Sequence, residues 1–201
     1  MKRLANQIAI TILVFIVAGC ANTPSGTKSE TSAITTNTVF TTAEQRDYAR
    51  ALKQLSAGEA EKAEKTLSKL SRSHSSHMGL WINLANARYQ TNNFTAATDA
   101  LTQAKTINAK AAEIYNLSGL IAVEQQDYKT AESLYLKALS LNKNYANAHY
   151  NLALVYDIFY QDISNALIHY QQYLALIPEG DAATSSWVEE LKLSLKRRNN
   201  G

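Results

Sequence analysis

Residues 112–145 read AEIYNLSGLIAVEQQDYKTAESLYLKALSLNKNY. Tyr115, Gly119 and Ala122 are spaced to share one face of a helix. Beyond Gln126-Asp127 a second helical face carries Tyr128, Ala131, Tyr135 and Ala138. Small residues belong where two antiparallel helices cross and their backbones approach closely; large ones fill the space beside the crossing. Each helix would hold about 12–15 residues, which is marginal for an isolated helix in water. The stretch therefore reads as a helical hairpin that needs neighbours to cover it.

The neighbours are present in the sequence. Ala51, Ala85, Gly119 and Ala153 recur at steps of 34 residues; Ala63, Ala97 and Ala131 keep the same step, and Ala166 follows after 35. Larger residues form a parallel series at Leu67, Leu101, Tyr135 and Tyr170, and a third series runs Leu70, Ala104, Ala138 and Tyr173. Four units follow, 44–77, 78–111, 112–145 and 146–180, the last with one residue inserted in its inner turn, YQDIS at 160–164. Stacking such units hides the faces a single pair would leave wet. After Pro178-Glu-Gly-Asp181, residues 181–201 hold a last helix, over roughly 182–198. Asp181 is its N-cap and Ser186-x-x-Glu189 a rival start. Trp187, Val188, Leu191 and Leu195 make its apolar stripe, while Lys192, Lys196, Arg197 and Arg198 face water, as a one-sided end piece requires.

These residues resemble the tetratricopeptide repeat, whose pattern is W-x2-L-G-x2-Y…A-x3-F…P over 34 residues. Trp81, Leu84, Ala85, Ala97, Leu101 and Ala104 match it. So do Tyr115, Gly119, Asp127-Tyr128, Ala131, Tyr135 and Ala138, and then His149, Leu152, Ala153, Tyr156, Ala166, Tyr170 and Pro178. The first unit departs most, with Asp47 and Arg50 where Trp and Leu are usual, which predicts an imperfect end cap frayed at its start. The fold class implied is all-α: an α-solenoid of four helix-turn-helix units and a C-terminal capping helix, preceded by a signal peptide and a disordered linker.

Residues 1–19 carry the address. Lys2 and Arg3 precede the apolar run Ile8–Gly19, IAITILVFIVAG, which is shorter than the roughly 20 apolar residues of a membrane span and suits a secretory signal. The run ends in Val17-Ala18-Gly19-Cys20, which resembles the bacterial lipobox. That resemblance implies cleavage before Cys20 and acylation of its thiol and new amino group. Two or more acyl chains hold a protein on a membrane stably. Ala21, in place of an aspartate, implies retention at the outer membrane, facing the periplasm. Residues 20–43 form the lipidated cysteine and its tether: 11 of residues 21–43 are Ser or Thr, too polar to offset ordering entropy. Only Val39-Phe40 has the character to dock on the first helix.

Composition excludes several functions. One cysteine permits neither an internal disulfide nor a multi-cysteine metal site, and a net charge of +3 spread along the chain does not predict nucleic-acid binding. The histidines His74, His77, His149 and His169 lack carboxylate or cysteine partners at ligand spacing; His149 stands at a core position usually aromatic, so packing is expected of it. No nucleophile elbow, zinc-protease motif or phosphate loop occurs, and neither catalysis nor a cofactor or metal is expected. Of the eleven tyrosines, Tyr115, Tyr128, Tyr135, Tyr156, Tyr170 and Tyr173 occupy packing positions.

What remains is the stripe of each unit's first helix that lines the hollow of the curved stack. It comprises Tyr48, Leu52 and Leu55; Ile82, Asn86 and Tyr89; Asn116, Leu120 and Val123; Tyr150, Leu154 and Asp157; with Asn83 and Asn151 beside it. It contains no Lys or Arg, unlike the tetratricopeptide co-chaperones that clamp a C-terminal carboxylate with cations. Apolar groups interleaved with amides suit a helix or an extended peptide instead, with Tyr89, Asn86 and Tyr150 foremost in contact. The expected role is a protein-binding adaptor of the bacterial envelope, with pilus biogenesis (type IV or tight-adherence) as the narrower reading. Service to peptidoglycan enzymes or to outer-membrane protein assembly, and a structural lipoprotein that self-associates, are the alternatives.

Overall fold

The computed structural model describes residues 40–199. The expected signal peptide 1–19, Cys20 and the tether as far as residue 39 lie outside the described residues. Each helix pair folds back about a tight inner turn, and in units two to four the turn ends in a side chain that caps the second helix. Helices α1 (Thr42–Ser56) and α2 (Ala60–Ser73) make the first pair, α3 (Met78–Gln90) and α4 (Phe94–Ile107) the second, α5 (Ala112–Glu124) and α6 (Tyr128–Leu141) the third. Helix α7 (Ala146–Leu154) runs into a π turn, Val155–Phe159, before α8 (Ile163–Leu176), and α9 (Ala182–Asn199) follows. Among the described residues there is no strand, and no helix long and apolar enough to cross a membrane.

The small residues sit where the pairing requires them. Ala51, Ala63, Ala85, Ala97, Ala131, Ala153 and Ala166 are all at 0 % exposure, and Leu67, Leu101, Tyr135 and Tyr170 fill the space beside them. Not every tyrosine is core. Tyr115, Tyr156 and Tyr173 are half-buried, and their hydroxyls donate to the Ala109 carbonyl, Glu132 and Asp181 respectively. Each inner turn closes on one left-handed residue, Gly58, Asn92, Gln126 and Gln161, directly before the N-cap residue of the second helix. Asn93, Asp127 and Asp162 cap α4, α6 and α8 by accepting from Ala96, Thr130 and Asn165 N–H.

The extra residue of the fourth unit is not in its turn. Gln161-Asp162 repeats the geometry of Gln126-Asp127, and the insertion is absorbed upstream, where the π turn takes more residues per rotation than an α-helix. The Asp162 N–H accordingly reaches back to the Tyr156 carbonyl, one residue further than the Asp127 N–H to Ala122. Ile158 and Tyr160 are thrown outward, and Phe159 stacks on Tyr128 at 3.7 Å between ring centroids.

The first unit is not frayed, and its helix begins at Thr42, inside the stretch read as tether. Thr41 and Glu44 form a reciprocal capping box, and the second oxygen of the same carboxylate, Oε1, takes His74 Nε2 at 3.0 Å. The Thr41 N–H first, then His74, hold the Glu44 carboxyl down to about 2. Phe40 packs on Tyr48, His74 and His77. Asp47 and Arg50 pair with each other in solvent, a contact of little energetic weight. At the other end Asp181 caps α9, its carboxylate accepting from the Thr184 N–H and hydroxyl; the rival start at Ser186 lies within the helix.

Three side chains one repeat apart fasten the loops between units. Trp81 Nε1 donates to the Ser75 carbonyl, Tyr115 Oη to Ala109, and His149 Nε2 to Lys143, each reaching six residues back. His149 thus does by hydrogen bonding what the aromatic does in its sister units, and it is 8 % exposed.

Candidate functional site

Curvature follows from which helices meet. Helix α3 touches α1, α5 touches α3 and α7 touches α5, whereas α2, α4, α6 and α8 make no contact among themselves. First helices therefore line the inside of the bend and second helices its outside. Each seam on the inside carries one polar link between successive first helices. Asn83 Nδ2 donates to Tyr48 Oη at 2.8 Å, Tyr89 Oη to Glu124 Oε1 at 3.1 Å, and Asn151 Nδ2 to Asn116 Oδ1 at 2.9 Å. Burial raises the Tyr48 and Tyr89 hydroxyls above the usual phenol range, so both keep their protons at physiological pH.

These links redistribute the residues expected on the wall. Leu55, Asn86, Tyr89, Asn116, Leu120 and Asn151 are buried, closing seams between units. Tyr150 and Leu154 pack into the apolar cluster that contains Val188 and Leu191 of α9, and Asp157 accepts from Trp187 Nε1 at 2.7 Å and from Tyr170 Oη. The fourth unit's share of the wall is covered by the end helix. Asn86, Tyr89 and Tyr150, expected foremost in contact with a partner, are thus committed within the chain. The reason is geometric: a stripe at i, i+4 and i+7 marks the side facing the next first helix as well as the side facing the hollow. The half-exposed remainder, Tyr48, Leu52, Ile82, Asn83 and Val123, spans units one to three and holds no cation.

Features not anticipated from the sequence lie elsewhere. A cleft of about 400 Å³ between the fourth turn and the end of α9 is lined by Tyr160, Gln161, Asp162, Ile163, Ser164, Leu195 and Arg198. It opens at the turn edge, away from the inner wall, and only the inserted residue at 160–164 hinted at it. Trp187 and Glu124 also join the wall. A polar residue 35 positions from a wall tyrosine was the available signal for Glu124.

The histidines pack in pairs. His149 Nδ1 and His169 Nδ1 stand 2.9 Å apart, joining α7 to α8. The Lys143 carbonyl only accepts, so His149 carries its proton on Nε2; its Nδ1 accepts, and His169 Nδ1 donates. Burial, and then His149, press the His169 imidazole down to about 4, and its ring stacks on Tyr156. A histidine depressed in the folded chain stabilises it fully above about pH 6.5, and that share is lost as pH falls toward 4. Thermal melts are expected to show a loss of about 1–2 kcal/mol across this window, after allowance for partial exposure. The Glu44 share lies lower, lost only as pH falls from 4.5 toward 2. His169→Gln should flatten the upper window and leave the lower one; an unchanged profile contradicts the assignment. Among the described residues no three His, Cys, Asp or Glu groups come together as a metal site would need.

Two family models match the chain. One, described as tetratricopeptide repeat, covers residues 48–112, and one described as TPR repeat covers 119–157. No curated protein matches. Among solved structures, a thermophilic TPR protein of Thermus thermophilus superposes with a TM-score of 0.65 at 20% identity, covering 75% of this chain and 81% of that one. Pseudomonas aeruginosa pilF gives 0.65 at 20% identity over 77% of this chain and 70% of its own. The first TPR of Spaghetti, solved with an HSP90 peptide, gives 0.54 at 16% identity over 59% and 95%. At these identities the likeness is one of fold. Taken with the repeated hairpins and their buried small residues, the matched segments show that the chain belongs to the tetratricopeptide repeat family.

Proposed function

We propose that this protein is a lipid-anchored adaptor of the bacterial envelope that holds a protein or peptide partner against the inner wall of its first three units. One observation carries the reading: Tyr48, Leu52, Ile82, Asn83 and Val123 leave an apolar surface with an amide among it, curved and without cations. Such a surface fits an amphipathic helix or extended segment, whose apolar side chains supply affinity while an amide satisfies backbone groups. The Ile82→Lys/Leu52→Lys variant, compared with wild type in affinity capture from solubilised envelope, should lose its specific partner while keeping its helical content, at a melting temperature lowered by the loss of two half-buried apolar groups. Retention of the same partner would overturn the wall as the binding surface.

The anchor is Cys20, on the strength of the Val17-Ala18-Gly19-Cys20 sequence. Attachment there, with Ala21 following, places the folded part at the outer membrane on the periplasmic side. Cys20→Ser is expected to abolish incorporation of labelled palmitate and to leave uncut precursor; normal labelling would remove the anchor from the proposal. Within the envelope, pilus biogenesis is the narrower role, supported by the common employment of lipidated tetratricopeptide proteins there and by the likeness in fold to pilF. The second reading, a structural lipoprotein that associates with itself, draws on α9, which already covers the fourth unit's wall.

A further inference from the structure

In units two and three the two long edges of the stack differ in charge. First helices begin, and second helices end, at the edge formed by the loops 74–77, 108–111 and 142–145; the inner turns form the opposite edge. On the loop edge, units two and three expose Lys105, Lys110, Lys137 and Lys143 against one carboxylate, Glu113. None of the four lysines has an ion-pair partner among the described residues. On the turn edge the same units carry Glu124, Asp127 and Glu132 with Arg88 and Lys129, and the last turn of α9 adds Lys196, Arg197 and Arg198 near the fourth turn.

The lysines are also arranged. The ammonium groups of Lys105 and Lys137, from different units, stand 5.6 and 6.0 Å from the centroid of one ring, Tyr115. That ring is pinned by its hydroxyl to the Ala109 carbonyl, next to Lys110, and Lys143 sits in the following loop, which His149 fastens. The described chain begins on this same edge: Phe40 packs on His74 and His77 of the loop 74–77. Whatever lies before residue 40 joins the folded part here and not at the turn edge.

We propose that this loop edge is the domain's membrane-facing surface, seated on anionic phospholipid with Lys105, Lys110, Lys137 and Lys143 over the headgroup phosphates. The inference rests on the anchor reading, because a tether from Cys20 would deliver this edge to the bilayer. Charge complementarity selects the lipid: cations near an anionic surface gain binding energy that vanishes beyond a Debye length. An edge docked in this way turns the inner turns away from the bilayer and keeps the inner wall open along its side.

The test uses the mature chain, residues 20–201, carrying Cys20→Ser, so that neither an acyl group nor the apolar run 8–19 reaches the vesicle. A single cysteine is introduced at Asn144, on the loop edge, or at Thr95, on the turn edge, and labelled with an environment-sensitive fluorophore. The expected result is a lipid-quenched signal at position 144 and none at 95 on vesicles containing phosphatidylglycerol, with neither position responding on phosphatidylcholine alone. In 1 M NaCl, where the Debye length is about 3 Å, the signal should disappear. Lys105→Gln/Lys137→Gln should weaken the response about twenty-five-fold, at roughly a fivefold change per lysine. Equal signals at both edges, a signal indifferent to lipid charge, or an unchanged double variant would overturn the proposal. So would an edge that stays in water throughout, which would leave the lysines to an acidic protein. Failure of Cys20 to acquire fatty acid in cells sinks the anchor reading separately, without touching these outcomes.

Discussion

Tyr135→Ala is expected to destabilise the chain by about 3–5 kcal/mol, the range for removing a large buried ring without collapse of the site. Tyr135 is 1 % exposed and packs in the cluster that holds Ala122, Ala131, Leu152 and Val155, so it joins the third unit to the fourth as well as its own two helices. Burial raises its hydroxyl far above the usual phenol range, and Tyr89 and Glu124 add to this. The neighbours that would have to fill the void are alanines and the ends of other helices, which are poorly placed to move in. At about 2–4 °C per kcal/mol for a chain of this size, the melting temperature should fall by roughly 10 °C. A loss below about 1 kcal/mol would mean that the ring is not the centre of this core.

Gly119→Ala is the complementary expectation, a net loss of about 2 kcal/mol. In an unhindered helix the same change would gain about 1 kcal/mol, so even the direction is informative. The added methyl would stand 2.5 Å from Tyr135 Cε1 and 2.8 Å from Cδ1, closer than real contacts allow, and the ring has no free side to swing toward. Units one and two fill the equivalent positions otherwise, with the buried pairs Ala51 and Leu67, and Ala85 and Leu101. Gly119→Ala/Tyr135→Leu should therefore recover stability relative to the sum of its single variants, by more than about 1 kcal/mol in a double-mutant cycle. Strict additivity of the two changes would show that Gly119 and Tyr135 do not oppose each other.

Much of this architecture could be read from residue spacing, because the determinants of a helical hairpin are local. Alanine and glycine at fixed steps mark crossings, and Asp127 or Asn93 mark where second helices start. The place of the inserted residue is not legible in the sequence for a physical reason: counting detects an extra residue between two landmarks, but not whether a turn lengthens or a helix widens. The early start of α1 was concealed by composition, since Thr41 and Glu44 lie in a Ser/Thr-rich stretch whose polar character outweighed the capping box. The inner wall was the least legible part. A stripe on one helix does not reveal how far the next helix leans over it, and Asn86, Asn116 and Asn151 were placed in the open when curvature buries them. Each has only a neighbouring unit to settle its exposure.

The single polar peg at each inner joint, Tyr48 to Asn83, Tyr89 to Glu124 and Asn116 to Asn151, has a mechanical corollary. Since units interact chiefly with their immediate neighbours, the arc behaves as a chain of rigid links whose pitch is adjusted one rivet at a time. Exchanging one rivet would widen or tighten the span locally, leaving every hairpin as it was.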